Sequence, residues 1–128
     1  MDPVVYSVDG RRVHSREDFF DLVGEAVSGP GTYFGKNFDA FSDCLSGGYG
    51  TPDDGAFRFV LENANAAREA LGYPETLAWL QHKVRNCHPS NVESVKLEIA
   101  EAEAERGPTV FDIFVDIFKE RLVPLQLH

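Results

Sequence analysis

The repeat of hydrophobic and polar positions changes several times along the chain, and each change marks an element. Val4, Val5, Tyr6 and Val8 are β-branched or aromatic and stop at the turn dipeptide Asp9-Gly10, which predicts a first strand over about residues 3–8. Ser15 with Asp18 resembles a capping box with Asp in place of Glu, and Phe19, Leu22, Val23 and Ala26 follow at helical spacing. A helix is expected over 16–28. After Gly29-Pro30-Gly31, Phe34, Phe38, Phe41 and Leu45 recur every three or four positions, the apolar stripe of a second helix that ends at Gly47-Gly48. In the run 56–62, Phe57, Phe59 and Leu61 alternate with Arg58, Val60 and Glu62, a mostly apolar pattern that suits a strand in a covered sheet.

Pro74 suits a first helical position, and Leu77, Leu80 and Val84 form a stripe behind it. Ser90 with Glu93 suggests a further helix start, followed by Val92, Val95, Ile99 and Ala102. These two helices are expected to pack as an antiparallel pair at the edge of the domain. The stretch 108–121 is rich in strand-forming residues, yet Asp112, Asp116, Lys119 and Glu120 sit at offsets of 0, 4, 7 and 8, one face of a helix. Val123 to Leu127 then forms the third strand. Strands separated by helices pair in parallel through right-handed crossovers. The expected fold is therefore α/β, a three-stranded parallel sheet covered by helices, in a single domain over 1–128 with 63–107 as a helical insertion before the last helix.

Composition narrows the function. The chain has 128 residues, 43% of them hydrophobic and ten of them Phe, enough to stabilise one core without cross-links. Twelve Lys and Arg against twenty-one Asp and Glu give a formal charge of -9, which disfavours nucleic-acid binding and favours steering toward a basic protein surface. Cys44 and Cys87 are too few for a disulfide framework, and the N-terminus has no basic segment followed by an apolar run. Asp112, Asp116 and Lys119 interrupt the longest apolar stretch, so no bilayer span is expected and a cytoplasmic location is the simplest reading. The motifs GxxxxGK[ST], GxGxxG and GxSxG do not occur, and His82, Cys87 and His88 fit no zinc spacing. No cofactor or metal is expected. Cys44 is read as a buried free thiol and Trp79 as packing.

The second helix carries the candidate chemistry. With its apolar stripe inward, Lys36, Asp39, Ser42, Asp43 and Ser46 share the opposite arc, so two carboxylates four residues apart point the same way. Such a pair costs a few tenths of a kcal/mol in an isolated helix, and a cationic partner reverses the sign. A plain solvated amphipathic helix has the same spacing.

Residues 33–45, YFGKNFDAFSDCL, resemble the signature of the barstar family, YYGxNxDAxxDxL, at Tyr33, Gly35, Asn37, Asp39, Ala40, Asp43 and Leu45, with Phe34 in place of a Tyr. The order of strands and helices agrees with that family, and the resemblance covers roughly 6–62 and 109–128. It implies a proteinaceous inhibitor, not an enzyme, whose acidic helix and adjoining loop cover the active site of a small microbial-type ribonuclease. Asp43 then takes the place of a substrate phosphate, and Asp116 and Glu120 supply the acidic positions of the last helix. The implied contact set is Tyr33, Phe34, Gly35, Asn37, Phe38, Asp39, Ser42, Asp43, Asp116 and Glu120. The implied partner is a basic, extracellular-type, guanyl-specific ribonuclease resembling barnase, bound 1:1. Ribonuclease sites hold phosphate with Arg, Lys and His, and a fixed carboxylate accepts the same hydrogen bonds. Phe34 lacks a hydroxyl, Lys36 replaces an acidic residue, and Ser42 and Gly48 stand where the family's prototype has tryptophans, so aromatic anchors are fewer. Two other readings stay open: a barstar-fold module for another basic protein, and a metal-dependent enzyme using Asp39 and Asp43.

Overall fold

The computed structural model describes residues 3–128, so Met1 and Asp2 of the expected domain lie outside the described residues. The elements run β1 (Val4–Asp9), α1 (Arg16–Ser28), α2 (Phe38–Leu45), β2 (Phe57–Glu62), α3 (Ala64–Ala70), α4 (Tyr73–Asn86), α5 (Val92–Glu103), α6 (Val110–Glu120) and β3 (Leu125–Leu127), with 3-10 turns at Gly10–Arg12 and Pro89–Asn91. The strands form one parallel sheet in the order β1-β2-β3. The expected three-stranded α/β architecture is what the chain adopts.

Parallel register sets Tyr6 beside Phe59 beside Leu125, and Val8 beside Leu61 beside Leu127. Because side chains alternate along a strand, Tyr6, Val8, Phe57, Phe59 and Leu61 share the face that packs into the main core. Val5 and Ser7 are exposed on the other face, beside Arg58 and Val60. The helices that were expected to cover the sheet thus lie on one of its faces. Val60 is buried but stands outside the main core, flanked by Ser7 and Gln126 in the middle of the sheet.

Phenylalanine fills the space between sheet and helices. The ring of Phe41, fully buried, lies with its centroid 6.1, 5.6, 5.7, 5.4 and 5.8 Å from those of Phe19, Phe20, Phe34, Phe114 and Phe118. Several of these pairs are edge-to-face, the arrangement the ring quadrupole favours. Phe41 therefore joins α2 to α6 from beneath.

Both ends of α6 are fixed. At its start Thr109 and Asp112 form a complete capping box, Val110 N–H donates to Thr76 Oγ1 (2.9 Å) and Phe111 N–H to the Leu71 carbonyl (3.1 Å). The four N–H groups that a helix start leaves open are all satisfied. At its end Leu122 N–H bonds to the Lys119 carbonyl (3.1 Å) and Val123 N–H to that of Phe118 (2.9 Å), with Leu122 at φ +58. This is the Schellman arrangement with leucine where glycine is usual.

Four local expectations change. Asp18 does not return its carboxylate to Ser15 but accepts from His14 N–H (2.9 Å), although Ser15 does cap α1. Ser90 does not open α5, because its N–H bonds to the ring of His88 (3.1 Å) and Asn91 is the residue before the helix. The stretch 63–107 holds three helices instead of two. The short, alanine-rich α3 has no stripe for periodicity to find, yet Ala64, Ala67 and Leu71 belong to the main core. Only α4 and α5 share a separate small core, of Leu80, Val95 and Ala102. The last strand is shorter than expected because Pro124 offers only its carbonyl, to Phe59 N–H (2.9 Å). Among the described residues no helix is long and apolar enough to cross a membrane.

Candidate functional site

The loop before α2 is shaped by the residues that make the motif recognisable. Phe34 was expected on the helical stripe, but α2 starts at Phe38 and Phe34 lies in the preceding loop, 1% exposed and edge-on to Phe41. Its side chain is core and has no surface to give a partner. Gly35, also buried, has φ +91, and a Cβ there would stand 2.5 Å from the backbone nitrogen of Phe41. Only glycine lets the loop press this closely on the first turn of α2. Asn37 caps that turn, its Oδ1 accepting from Ala40 N–H (2.8 Å). The Lys36 ammonium donates to Asp21 (2.7 Å), which raises its pKa and ties the loop to α1.

Of the expected set, Phe38, Asp39, Ser42, Asp116 and Glu120 come together around one depression, and Tyr33 lies on another part of the loop. Tyr33 is half exposed, its ring 6.3 Å from that of Tyr49. With Phe41, Phe114 and Phe118 turned inward, α2 and α6 present their polar faces side by side. Phe38, Asp39 and Ser42 from α2, with Ile113, Asp116, Ile117 and Glu120 from α6, line an open depression of about 320 Å³. The structure thus brings together Asp39, Asp116 and Glu120, residues up to 81 positions apart in sequence. Among the described residues none of these three carboxylates is engaged in an ion pair. Phe38 forms the floor at one end, edge-on to Trp79 (5.1 Å), and Lys83 lies over the same indole.

Asp43 sits apart from the depression. Its side chain points outward, 73% exposed, and meets Arg121, whose Nη2 is 3.3 Å from Oδ1 while Nε donates to Ser42 Oγ (2.7 Å). Such an exposed pair is worth at most about 1 kcal/mol. Arg121 and Tyr49 were not in the expected set. No local pattern links Arg121 to a residue 78 positions earlier, whereas an aromatic at 49, next to the noted Gly48, was a signal available in the sequence.

Chemically the face is a set of acceptors. An ionised carboxylate offers only lone pairs, so the surface suits Arg, Lys or protonated His of another molecule. Among the described residues no three His, Cys, Asp or Glu side chains converge to hold one ion. His88 is turned to Ser90, and the Cys87 thiol to the Val84 carbonyl. Cys44 is buried and unbonded to another cysteine, and that burial, with the Asp43 charge beside it, pushes its thiol pKa up. A more apolar hollow of about 340 Å³ lies between α4, α5 and the start of α6, and touches the acidic face only through Ile113.

The family model described as Barstar (barnase inhibitor) matches residues 4–93. The match covers β1 through α4 and the first residues of α5, and so includes the loop and α2. It ends before α6 and β3, so the place of Asp116 and Glu120 beside Asp39 comes from the coordinates. No curated protein and no solved structure matches the chain.

Proposed function

From the premise that the chain belongs to the barstar family, we propose that it inhibits a small, basic, guanyl-specific ribonuclease by laying α2, α6 and the loop between Tyr33 and Asn37 over the enzyme's active site. The observation that carries this reading is the joint face of two helices distant in sequence, on which Asp39, Asp116 and Glu120 surround one depression without internal counter-ions. In this reading the carboxylates, with Asp43 beside them, take the hydrogen bonds that the enzyme's cations make to RNA phosphate. A 1:1 complex follows from a single such face on each molecule. Action in the cytoplasm suits a protein whose two cysteines are both free thiols.

The energetics fit a fast inhibitor. Carboxylates with no ion pair among the described residues have none to break when a cationic cleft arrives, and the net charge of -9 steers the encounter. Steering is screened over about 8–10 Å at ordinary ionic strength, so association slows as salt rises.

The test is enzyme inhibition with a panel of small microbial guanyl-specific ribonucleases at stoichiometric protein. Asp43→Ala should cost about 2–5 kcal/mol of affinity, the loss that follows when one member of a buried charge pair is removed. Asp39→Ala and Glu120→Ala should cost less, and all three variants should unfold as the parent does. A protein that inhibits no member of the panel defeats the proposal and leaves the face to some other basic partner.

A further inference from the structure

We infer that Arg121 tunes the selectivity of the acidic face, by occupying Asp43 in the free protein so that a cleft able to replace and re-house its guanidinium is favoured over one that is not. The inference rests on the proposed inhibition, since it concerns which partners that same face accepts.

Its position is built. Arg121 is the last residue of the α6 cap, where its N–H bonds to the Ile117 carbonyl (3.0 Å), and the Schellman turn at Leu122 fixes the chain beyond it. From there the planar guanidinium spans two residues of α2 at once, Ser42 through Nε and Asp43 through Nη2. Lysine, a point charge on a flexible stem, cannot hold both in this way. The pair is solvent-open, with side chains 38% and 73% exposed, so it can exchange without unfolding. A buried structural bridge would not have that freedom.

The consequence for recognition is one of charge. Among the described residues Asp39, Asp116 and Glu120 have no ion-pair partner, while Asp43, next to Ser42 at the edge of their depression, already has one. A cationic cleft that reaches Asp43 must displace Arg121 and bring its own positive charges close to it. A cleft made only of cations is therefore penalised, whereas one with a carboxylate or carbonyl on its rim can accept the displaced guanidinium. Selection by an unfavourable contact against the wrong partner is a general route to specificity.

Two measurements on the full-length protein test this. In stopped-flow association with the ribonuclease panel, Arg121→Ala should bind about three- to tenfold faster than the parent and should inhibit more members. The gain should vanish when Asp43 is also changed to Asn, which separates release of Asp43 from the mere change in net charge. A variant that binds no faster, or a gain that persists beside Asp43→Asn, overturns the inference. The second measurement uses an octa-arginine peptide and amide NMR, with no ribonuclease present. Arg121→Ala should bind the peptide several-fold more tightly, with shifts at residues 42–43, and equal binding overturns the role of Arg121 even if the panel shows no inhibition at all.

Discussion

Replacing Gly35 by alanine tests the link between the loop and the acidic face. An added Cβ would lie 2.5 Å from Phe41 N, 2.7 Å from Phe41 Cα and 2.8 Å from Ala40 C, all backbone atoms of the first turn of α2. To reach an ordinary contact of 3.4 Å the turn must retreat by 3.4 − 2.5, about 0.9 Å. The positive φ adds about 1–2 kcal/mol and overpacking about 1–3 kcal/mol, so the expected loss is about 2–5 kcal/mol. Gly31→Ala is the control, because Gly31 also has positive φ (+79) but its Cβ would meet nothing within 4 Å. That variant should lose only the conformational part, about 1–2 kcal/mol. Urea unfolding followed by the fluorescence of Trp79, the single tryptophan, gives both values. Because α2 carries Asp39 and Asp43, Gly35→Ala should also weaken inhibition beyond its loss of stability, whereas Gly31→Ala should not. Equal destabilisation by the two substitutions, within about 0.5 kcal/mol, would refute the close-approach argument.

Thr76→Val removes the acceptor for Val110 N–H in a buried place and should cost about 1–3 kcal/mol in urea unfolding; a neutral result would mean α6 does not need that anchor. Leu122→Gly relieves a positive φ on an 89% exposed side chain and should raise stability by about 0.5–1 kcal/mol, seen as a later urea midpoint. Asp9 is held at about 2, below its ordinary 3.8, first by the hydrogen bond from the Arg11 side chain, then by Arg11 N–H and by Asn63. A lowered carboxylate stabilises the fold fully above 3.8 and loses that contribution as pH falls through about 2, so Asp9→Asn should flatten the acid limb of a stability-against-pH curve over that window. An unchanged limb would remove Asp9 from the acid transition.

Much of the fold could be read from spacing, and the failures have physical causes. The offsets of Asp112, Asp116, Lys119 and Glu120 outweighed the strand-like composition of α6, and all four are exposed on the helix. The same test misplaced Phe34, because a loop turned back by Gly35 can bring a side chain to the place that the next helical turn would occupy. Ser90 shows the competition between a cap and a nearby imidazole, which one-dimensional patterns do not weigh. The motif itself turns out to be largely architectural: Phe34 and Leu45 are core, Gly35 permits the close approach and Asn37 is the cap. Tyr33, Asp39 and Asp43 point outward, beside Lys36 and the capping Asn37, which are exposed too. The Arg121 contact with Asp43 could not be read from sequence, since it depends on how two helices are laid side by side.

Leu80, Val95 and Ala102 form a patch of packing separate from the phenylalanine interior, and through it α5 rests on α4. A helix secured by a small core whose other members, such as Leu77, Val84 and Ile99, are only partly buried opens at a smaller free-energy cost than the sheet does. Its amides should therefore trade hydrogen with water through a partial opening in which α2 and α6 stay docked.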